Sequence, residues 1–205
     1  MLEVSHLLNG TTGALGDIAG AEPVRFATWH RVPPVRWRKS LHKHFNVTLE
    51  AMTMGELIEF VAGLGGVVVL KPVPGDGTPE IAWGDAFFYY SPEGIVPGRT
   101  QPFATIVTKN YPGEAPSGLD RPGAFRVNIR PDKEAFIRWI GRAPREPAIE
   151  KIDPAVTDAF VAHPLYGTAG WVSVINPAEP TREPTRDLLR AAHRLARARC
   201  EQQQG

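Results

Sequence analysis

The sequence predicts an α+β domain: a mostly antiparallel sheet of about five strands with helices packed on one face. Three observations carry this prediction. Short β-branched or aromatic runs follow one another with turns, and not helices, between them. Amphipathic helical segments flank these runs and give the order αββββααβα. The 205 residues also include 20 glycines and 20 prolines, so the elements must be short and the turns many.

The first helix is predicted to begin at Thr53, because Thr53 and Glu56 have the spacing of a capping box. Apolar residues at helical spacing follow, and a glycine cluster that starts at Gly63 ends the helix. The β-branched run Val67–Leu70 is the first predicted strand. Residues 71–80 are rich in proline and glycine and are predicted to form a loop.

Four further strands and three further helices complete the predicted order. The strands are Ala86–Tyr90, Phe103–Thr108, Ala124–Arg130 and Trp171–Ile175. The helices are Asp132–Ile140, Asp153–Ala162 and, roughly, Thr185–Cys200. In Ala124–Arg130, apolar residues at 125, 127 and 129 alternate with Arg126, Asn128 and Arg130. We therefore expect the apolar side chains and Trp171 in the core, and the polar ones on an exposed outer face.

The chain divides into a main domain and flanking pieces. Residues 52–200 are predicted as a single α+β domain and 201–205 as a tail. Residues 1–51 show no sustained periodicity and contain a basic stretch with interleaved aromatics, from Arg25 to Phe45. Met52 stands immediately before the first helix, so translation could begin there. We expect an N-terminal extension that is either a disordered arm or the product of a misassigned start; nucleic-acid contact by its basic stretch is the alternative.

Composition narrows the class of protein. The net charge is +1, which gives no electrostatic case for nucleic acid over the whole chain. Cys200 is the single cysteine, and no run is apolar and long enough for a membrane span, so we expect a cytoplasmic protein without a membrane partner. The glycine clusters match neither a phosphate-binding loop nor a dinucleotide fingerprint. We expect no metal site and no cofactor.

Five motifs resemble those of a bacterial family catalogued only as domain of unknown function 6194. They are Ile81–Phe88 (IAWGDAFF), Pro102–Lys109 (PFATIVTK), Leu119–Gly123 (LDRPG), Phe125–Ile129 (FRVNI) and His163–Gly167 (HPLYG). The resemblance covers about residues 52–199 and brings no activity with it. More remotely, the layout is similar to the YjbR-like fold, a likeness that does not transfer function.

A binding site is predicted on the polar face of the sheet. Arg126 and Asn128 lie two apart on one strand, so they could together clamp a carboxylate or phosphate. Lys109 and Tyr111 end the preceding strand and could lie beside them. The predicted ligand-binding residues are Lys109, Tyr111, Arg126, Asn128, Arg121 and Trp83. A solvated outer face without a ligand is the alternative.

Three residues are candidates for catalysis: Asp85, Asp120 and His163. Each also has a structural interpretation. Asp85 could be an edge carboxylate beside a core tryptophan, and Asp120 could close a turn before Pro122. His163 could be a protonated cap at a helix end.

The leading hypothesis is a small-ligand or protein binding module, with a small anionic ligand. The alternative is a small hydrolase or transferase that uses Asp85, Asp120 or His163. A third hypothesis is weak DNA binding by the arginine-rich C-terminal helix. We expect His193 and the arginine stripe of this helix (Arg186, Arg190, Arg194 and Arg197) to be solvated. The balance of charge in the main domain argues against nucleic acid, and the sequence does not predict an oligomeric state.

Overall fold

Three helices and six strands make up the described part of the chain, residues 51–148 and 153–204 of a computed structural model. The helices are α1 (Met54–Ala62), α2 (Lys133–Ile140) and α3 (Glu179–Gln204). The strands are β1 (Val67–Leu70), β2 (Ala86–Tyr90), β3 (Ala104–Val107), β4 (Arg126–Ile129), β5 (Val161–Ala162) and β6 (Val172–Ile175). The predicted N-terminal extension lies, apart from Ala51, outside the described residues.

The strands form one antiparallel sheet in the order β1-β2-β3-β4-β6-β5. The first four follow one another as a meander, as their turn-rich connections predict. β6 then pairs with β4, and the two-residue β5 closes the edge. The predicted α+β class is confirmed, and the six strands exceed the predicted five by β5 alone.

All three helices pack on one face of the sheet. Alternate side chains of β2, β3, β4 and β6 form one apolar cluster with residues from each helix. Its fully buried members include Val127 and Ile129 of β4, Leu57 of α1, Phe136 of α2 and Leu189 of α3. The apolar side chains at every second position of β4 therefore pack against the apolar faces of the helices in a shared core, as predicted.

The predicted capping box at the start of α1 is confirmed. The Thr53 hydroxyl accepts a hydrogen bond from the Glu56 backbone N–H at 3.1 Å, and the Glu56 carboxylate accepts one from the Thr53 N–H at 2.7 Å. These bonds hold the pKa of Glu56 below its usual value. The helix ends at Ala62, next to the glycine cluster that predicted its end.

The prediction that His193 of α3 is solvated is wrong. The side chain lies in the core and is 8% exposed. Its Nε2 lies 2.8 Å from the carbonyl oxygen of Gly65, and its ring makes edge contacts with Tyr90 and Phe103. The histidine thus ties α3 to the turn before β1. Charge counting along the helix could not reveal this contact, because the partner carbonyl is distant in sequence.

Connecting loops cover the other face of the sheet. Two small apolar clusters lie there, one around Val107 and Ile175 and one around Phe87 and Tyr89. Arg126 and Asn128 are consequently only 1% and 2% exposed. The prediction of an exposed polar face is therefore wrong. Alternation assigned these two side chains to the correct face, but it cannot tell whether loops cover that face.

The predicted helix over Asp153–Ala162 is absent among its described residues, which form turns and the edge strand β5. The Asp153 carboxylate closes a turn by accepting from the Ala155 N–H at 2.9 Å. Asp158 adopts a positive φ of 54°, which ends any helix there. Its carboxylate accepts from the Ala178 N–H at 2.8 Å and from the Thr181 hydroxyl at 2.6 Å, at the start of α3.

The C-terminal helix is longer than predicted. α3 begins at Glu179 and runs through Pro184, whereas Thr185 was the predicted start. It continues to Gln204, so residues 201–204 are helical and not a tail. Asp158 accounts for the early start, since it satisfies an orphan amide before the first turn. Within the described residues, no helix is long and apolar enough to cross a membrane.

Candidate functional site

A row of polar side chains crosses three neighbouring strands on the face opposite the helices. Register pairs Thr105 of β3 with Asn128 of β4, and Asn128 with Ser173 of β6. The Asn128 amide donates to the Thr105 hydroxyl at 3.0 Å, and its carbonyl oxygen accepts from the Ser173 hydroxyl at 2.8 Å. All three side chains are buried, and hydrogen bonding across the row is what permits their burial.

Arg126 extends this row into a buried ion pair. Its Nε donates to the Asn128 carbonyl oxygen at 2.9 Å, and one terminal nitrogen lies 2.8 and 2.9 Å from the two carboxylate oxygens of Glu114. The side chains are only 2% and 3% exposed. A buried guanidinium requires such a partner, because desolvation without one is very unfavourable.

The β3–β4 connection holds Glu114 over the sheet. The backbone N–H of Glu114 donates to the carbonyl of Tyr111 at 3.1 Å, which closes a turn. The side-chain oxygen of Asn110 accepts from the backbone N–H of Ser117 at 3.1 Å and from its hydroxyl at 2.6 Å. These bonds stabilise the part of the connection that follows Glu114. The Ser117 hydroxyl in turn lies 3.5 Å from Arg126. Loop and strand are therefore joined by one polar network.

A second polar cluster centres on Asp85, which is 1% exposed. One carboxylate oxygen accepts from the Thr108 N–H, the Thr108 hydroxyl and the Lys109 ammonium, each at 2.9 Å. The other accepts from the Tyr111 hydroxyl at 2.6 Å. Lys109 also donates to the carbonyl of Trp83 at 2.6 Å. Both carboxylate oxygens thus accept hydrogen bonds from residues that directly follow β3.

Tyr111 connects the two clusters. Burial raises the pKa of its hydroxyl well above the usual value, and the negative charge of Asp85 adds to the effect. The phenol therefore stays protonated and donates to Asp85, while its ring packs toward the cluster around Val107. Its role in this geometry is to position the loop that carries Glu114.

A cavity of about 90 Å³ lies over the polar row. Its wall is mostly apolar and aromatic, with a few polar groups, which is the usual character of a small-molecule site. Its lining includes Thr105, Glu114, Arg126, Asn128, His163 and Leu165. Aromatic walls are contributed by Phe87, Tyr111, Tyr166 and Trp171.

His163 lies after the edge strand β5, not at a helix end, so the prediction of a helix cap is wrong. It is 6% exposed, and its Nδ1 accepts from the backbone N–H groups of Leu165 and Tyr166 at 3.1 and 3.2 Å. Burial lowers its pKa to about 3, with a smaller contribution from the positive charge of Arg126. The ring is therefore neutral, not protonated as a cap would be.

The tautomer of His163 follows from these bonds. A neutral imidazole whose Nδ1 accepts carries its proton on Nε2. No residue within 51–148 or 153–204 accepts a hydrogen bond from that nitrogen. The neighbouring rings of Tyr166 and Trp171, with centroids at 4.9 and 6.5 Å, hold the imidazole in place. His163 thus lines the cavity with an imidazole whose Nε2–H has no acceptor among the described residues.

The structure brings together only part of the predicted site. Tyr111, Arg126, Asn128 and His163 line the cavity, whereas Asp85 does not. Lys109 and Trp83 also lie outside the lining and belong to the Asp85 cluster. Asp120 and Arg121 are exposed in the loop before β4, and the Arg121 guanidinium bonds to the Gly118 carbonyl at 2.8 Å. The three catalytic candidates therefore do not converge.

Sequence reasoning missed four members of the site: Thr105, Glu114, Ser117 and Ser173. Thr105 and Ser173 carried a usable signal, since each is a lone polar residue in an apolar strand. Glu114 and Ser117 lie in an irregular turn without periodicity, so nothing marked them. In the described ranges no three histidine, cysteine or acidic side chains are grouped to hold a metal ion.

The arginine stripe of α3 is held by neighbouring side chains. Arg186 pairs with Glu183 at 2.7 Å and Arg190 with Asp187 at 2.7 Å, and both guanidinium groups lie over the ring of Phe60. These contacts support a structural role, since the charges are locally balanced and the stems cover an aromatic surface. They leave the question of DNA binding untested.

Comparison with known proteins gives a family and no activity. No curated protein and no solved structure matches the chain. The similarity to the YjbR-like fold therefore stays a prediction. Residues 52–205, three quarters of the sequence, match a family described as of unknown function (DUF6194). The match begins at Met52, where the predicted resemblance also begins, and the chain belongs to this family of unknown function.

Proposed function

We propose that this domain binds a small uncharged molecule in the cavity over the polar row. The observation that carries the proposal is His163, which lines this aromatic-walled cavity and whose Nε2–H has no acceptor among the described residues. A ligand with a carbonyl acceptor and a flat apolar body complements these groups. The cavity volume of about 90 Å³ suits a compact compound.

The charge balance favours an uncharged ligand over the anionic one predicted from the sequence. Arg126 already has a carboxylate partner in Glu114, and Lys109 has one in Asp85. An anion at the cavity would compete with Glu114 for the same guanidinium and would bring a second negative charge beside it. The prediction of an anionic ligand at this cavity stays untested.

The hydrolase or transferase alternative has less support. Of its three candidate residues, His163 alone lines the cavity, and its Nδ1 is occupied by two backbone N–H groups. A general base needs an unprotonated nitrogen directed at the substrate. His163 in this tautomer offers a donor instead. Binding is thus the function that the geometry favours.

A thermal-shift screen of uncharged aromatic amides and ketones, with benzamide as the first probe, tests the proposal. A compound present at tenfold its Kd stabilises the native state by about 1.4 kcal/mol and raises the melting temperature. Leu165→Trp should abolish the shift, because Leu165 lines the cavity and is 42% exposed at its mouth. Ile95→Trp, a matched change at a residue 69% exposed elsewhere, should keep it.

The position of the donor is tested by His163→Phe, which keeps an aromatic ring and removes the Nε2–H. We expect this variant to bind the same compound about tenfold more weakly, the loss of one good hydrogen bond. A screen without any saturable shift would contradict the proposal. Equal shifts in wild type, Leu165→Trp and Ile95→Trp would place the binding at another site and also contradict it.

A further inference from the structure

A separate groove of about 540 Å³ lies between the β2–β3 connection and the C-terminal half of α3. Three arginines from distant parts of the chain line it: Arg99 in the connection, Arg130 directly after β4, and Arg199 on α3. Alternation along β4 had assigned Arg130 to the same face as Arg126. The strand ends at Ile129, and Arg130 instead lines a groove together with residues of α3.

None of these three arginines forms an ion pair with any residue in 51–148 or 153–204. Glu93 also lines the groove, but its carboxylate is not within ion-pair distance of them. On the same helix, Arg197 pairs with Glu201 at 2.7 Å, as Arg186 and Arg190 do with their own acids. The groove therefore brings together three arginines that have no carboxylate partner among the described residues.

Arg130 is the least solvated of the three, since Arg99 and Arg199 are exposed and Arg130 is half-buried. Burial lowers the pKa of its guanidinium, and the like charge of Arg199 lowers it further. Among the described residues, its guanidinium donates only to the Gln101 side-chain oxygen, at 3.5 Å, which is a long contact. Two cations that line one groove, with no carboxylate partner among the described residues, favour the binding of an anion.

Apolar side chains flank the cationic part of the groove. Ile95 is 69% exposed, and Val96 and Phe103 line the same wall. An exposed apolar surface beside paired guanidinium groups complements a ligand with an organic body and a compact anionic head. We propose that this groove binds a small organic phosphate, with the phosphate on Arg130 and Arg199 and the organic part against Ile95.

Isothermal titration of the full chain with phenyl phosphate tests this site. We expect saturable binding that weakens with added salt, and inorganic phosphate should bind more weakly because it lacks the organic part. Arg130→Gln and Arg199→Gln should each weaken binding about tenfold, whereas Arg186→Gln, which alters an arginine paired with Glu183, should leave it unchanged. Arg199 is exposed, so its variant folds even if Arg130→Gln does not.

Three results would overturn the proposal. They are absence of saturable binding, equal binding of phenol, and an equal loss of affinity in Arg186→Gln and Arg199→Gln. The last result would indicate that the basic helix attracts anions without specificity, as it would attract DNA or an anionic membrane. This test is independent of the cavity over the polar row, because phenyl phosphate binding should survive Leu165→Trp.

Discussion

Arg126 and Glu114 form an ion pair at 2.8 Å in which both side chains are almost fully removed from solvent. Arg126 lies in the middle of the sheet and Glu114 in an irregular turn. The pair therefore links the β3–β4 connection to the face of the sheet opposite the helices. In such a pair, each charge is tolerable because the other is present. We therefore expect the pair to help hold the β3–β4 connection over this face.

Loss of either partner should destabilise the fold strongly. We expect Arg126→Met and Glu114→Gln each to lower the free energy of unfolding by roughly 3–5 kcal/mol, since each leaves an uncompensated buried group. The double variant should be less destabilised than the sum, with a coupling of roughly 1–3 kcal/mol. Urea denaturation of the four proteins measures the cycle. Strictly additive losses would mean that the two residues do not depend on each other.

Asp85 and Lys109 make an unequal pair. The Asp85 side chain is 0% exposed and accepts four hydrogen bonds, whereas the Lys109 side chain is 32% exposed. Asp85→Asn should cost roughly 1–3 kcal/mol, because the amide cannot accept at both former carboxylate oxygens. Lys109→Met should cost less than about 1 kcal/mol, as partly exposed ion pairs do. Chemical denaturation in the same buffer compares them, and a larger loss at Lys109 would refute this ranking.

The elements that the sequence predicts well are those whose signal is local. Thr53 and Glu56 lie three apart, so their capping box and the helix after it could be identified from the residues alone. The alternation along β4 likewise assigned Val127 to the core and Arg126 to the opposite face. Both patterns follow from backbone geometry, which acts over a few residues.

The parts that could not be predicted depend on contacts distant in sequence. Asp158 caps α3 from 20 residues away, so the early start of that helix had no local signal. Ser173 reaches Asn128 across 45 residues, and Glu114 reaches Arg126 from a turn without periodicity. A predicted sheet face shows which side chains share it, but the loops that cover it decide whether it is a surface. The shared face of Arg126 and Asn128 was thus predicted, and their exposure was misjudged.

Met52 connects the start of the described domain to its core. It is 1% exposed, and its backbone N–H donates to the carbonyl of Pro177 at 2.9 Å. Met52→Ala should cost roughly 2–5 kcal/mol through lost burial and an unfilled cavity. A chain that begins at Glu50 should by contrast lose no more than about 1 kcal/mol, since it keeps all of the residues that match the family. Starting at Glu50 keeps the Met52 peptide N–H intact.

Melting curves and urea titrations of the two variants beside the full chain decide this prediction. A loss of more than about 2 kcal/mol on truncation would show that the residues before Glu50 are part of the folded domain. Retained stability in Met52→Ala would show instead that the domain does not depend on this contact.

His163 should make the stability of the domain depend on pH. Its pKa is about 3 in the folded protein and 6.5 in an ordinary environment, mainly because it is buried. Between these two values the unfolded chain binds a proton that the folded chain does not. Stability is therefore full above about pH 6.5 and falls as the pH decreases, by at most about 1.4 kcal/mol per pH unit from this group.

The contribution of His163 can be isolated with His163→Asn, whose side-chain oxygen can still accept from the Leu165 and Tyr166 N–H groups. We expect urea denaturation at pH 7.5, 6.0 and 5.0 to give a steeper loss of stability in the wild type than in the variant. Carboxylates contribute equally to both proteins over this range, so the difference between the two slopes belongs to the imidazole. Equal slopes would mean that His163 is not held neutral by its buried position between Tyr166 and Trp171.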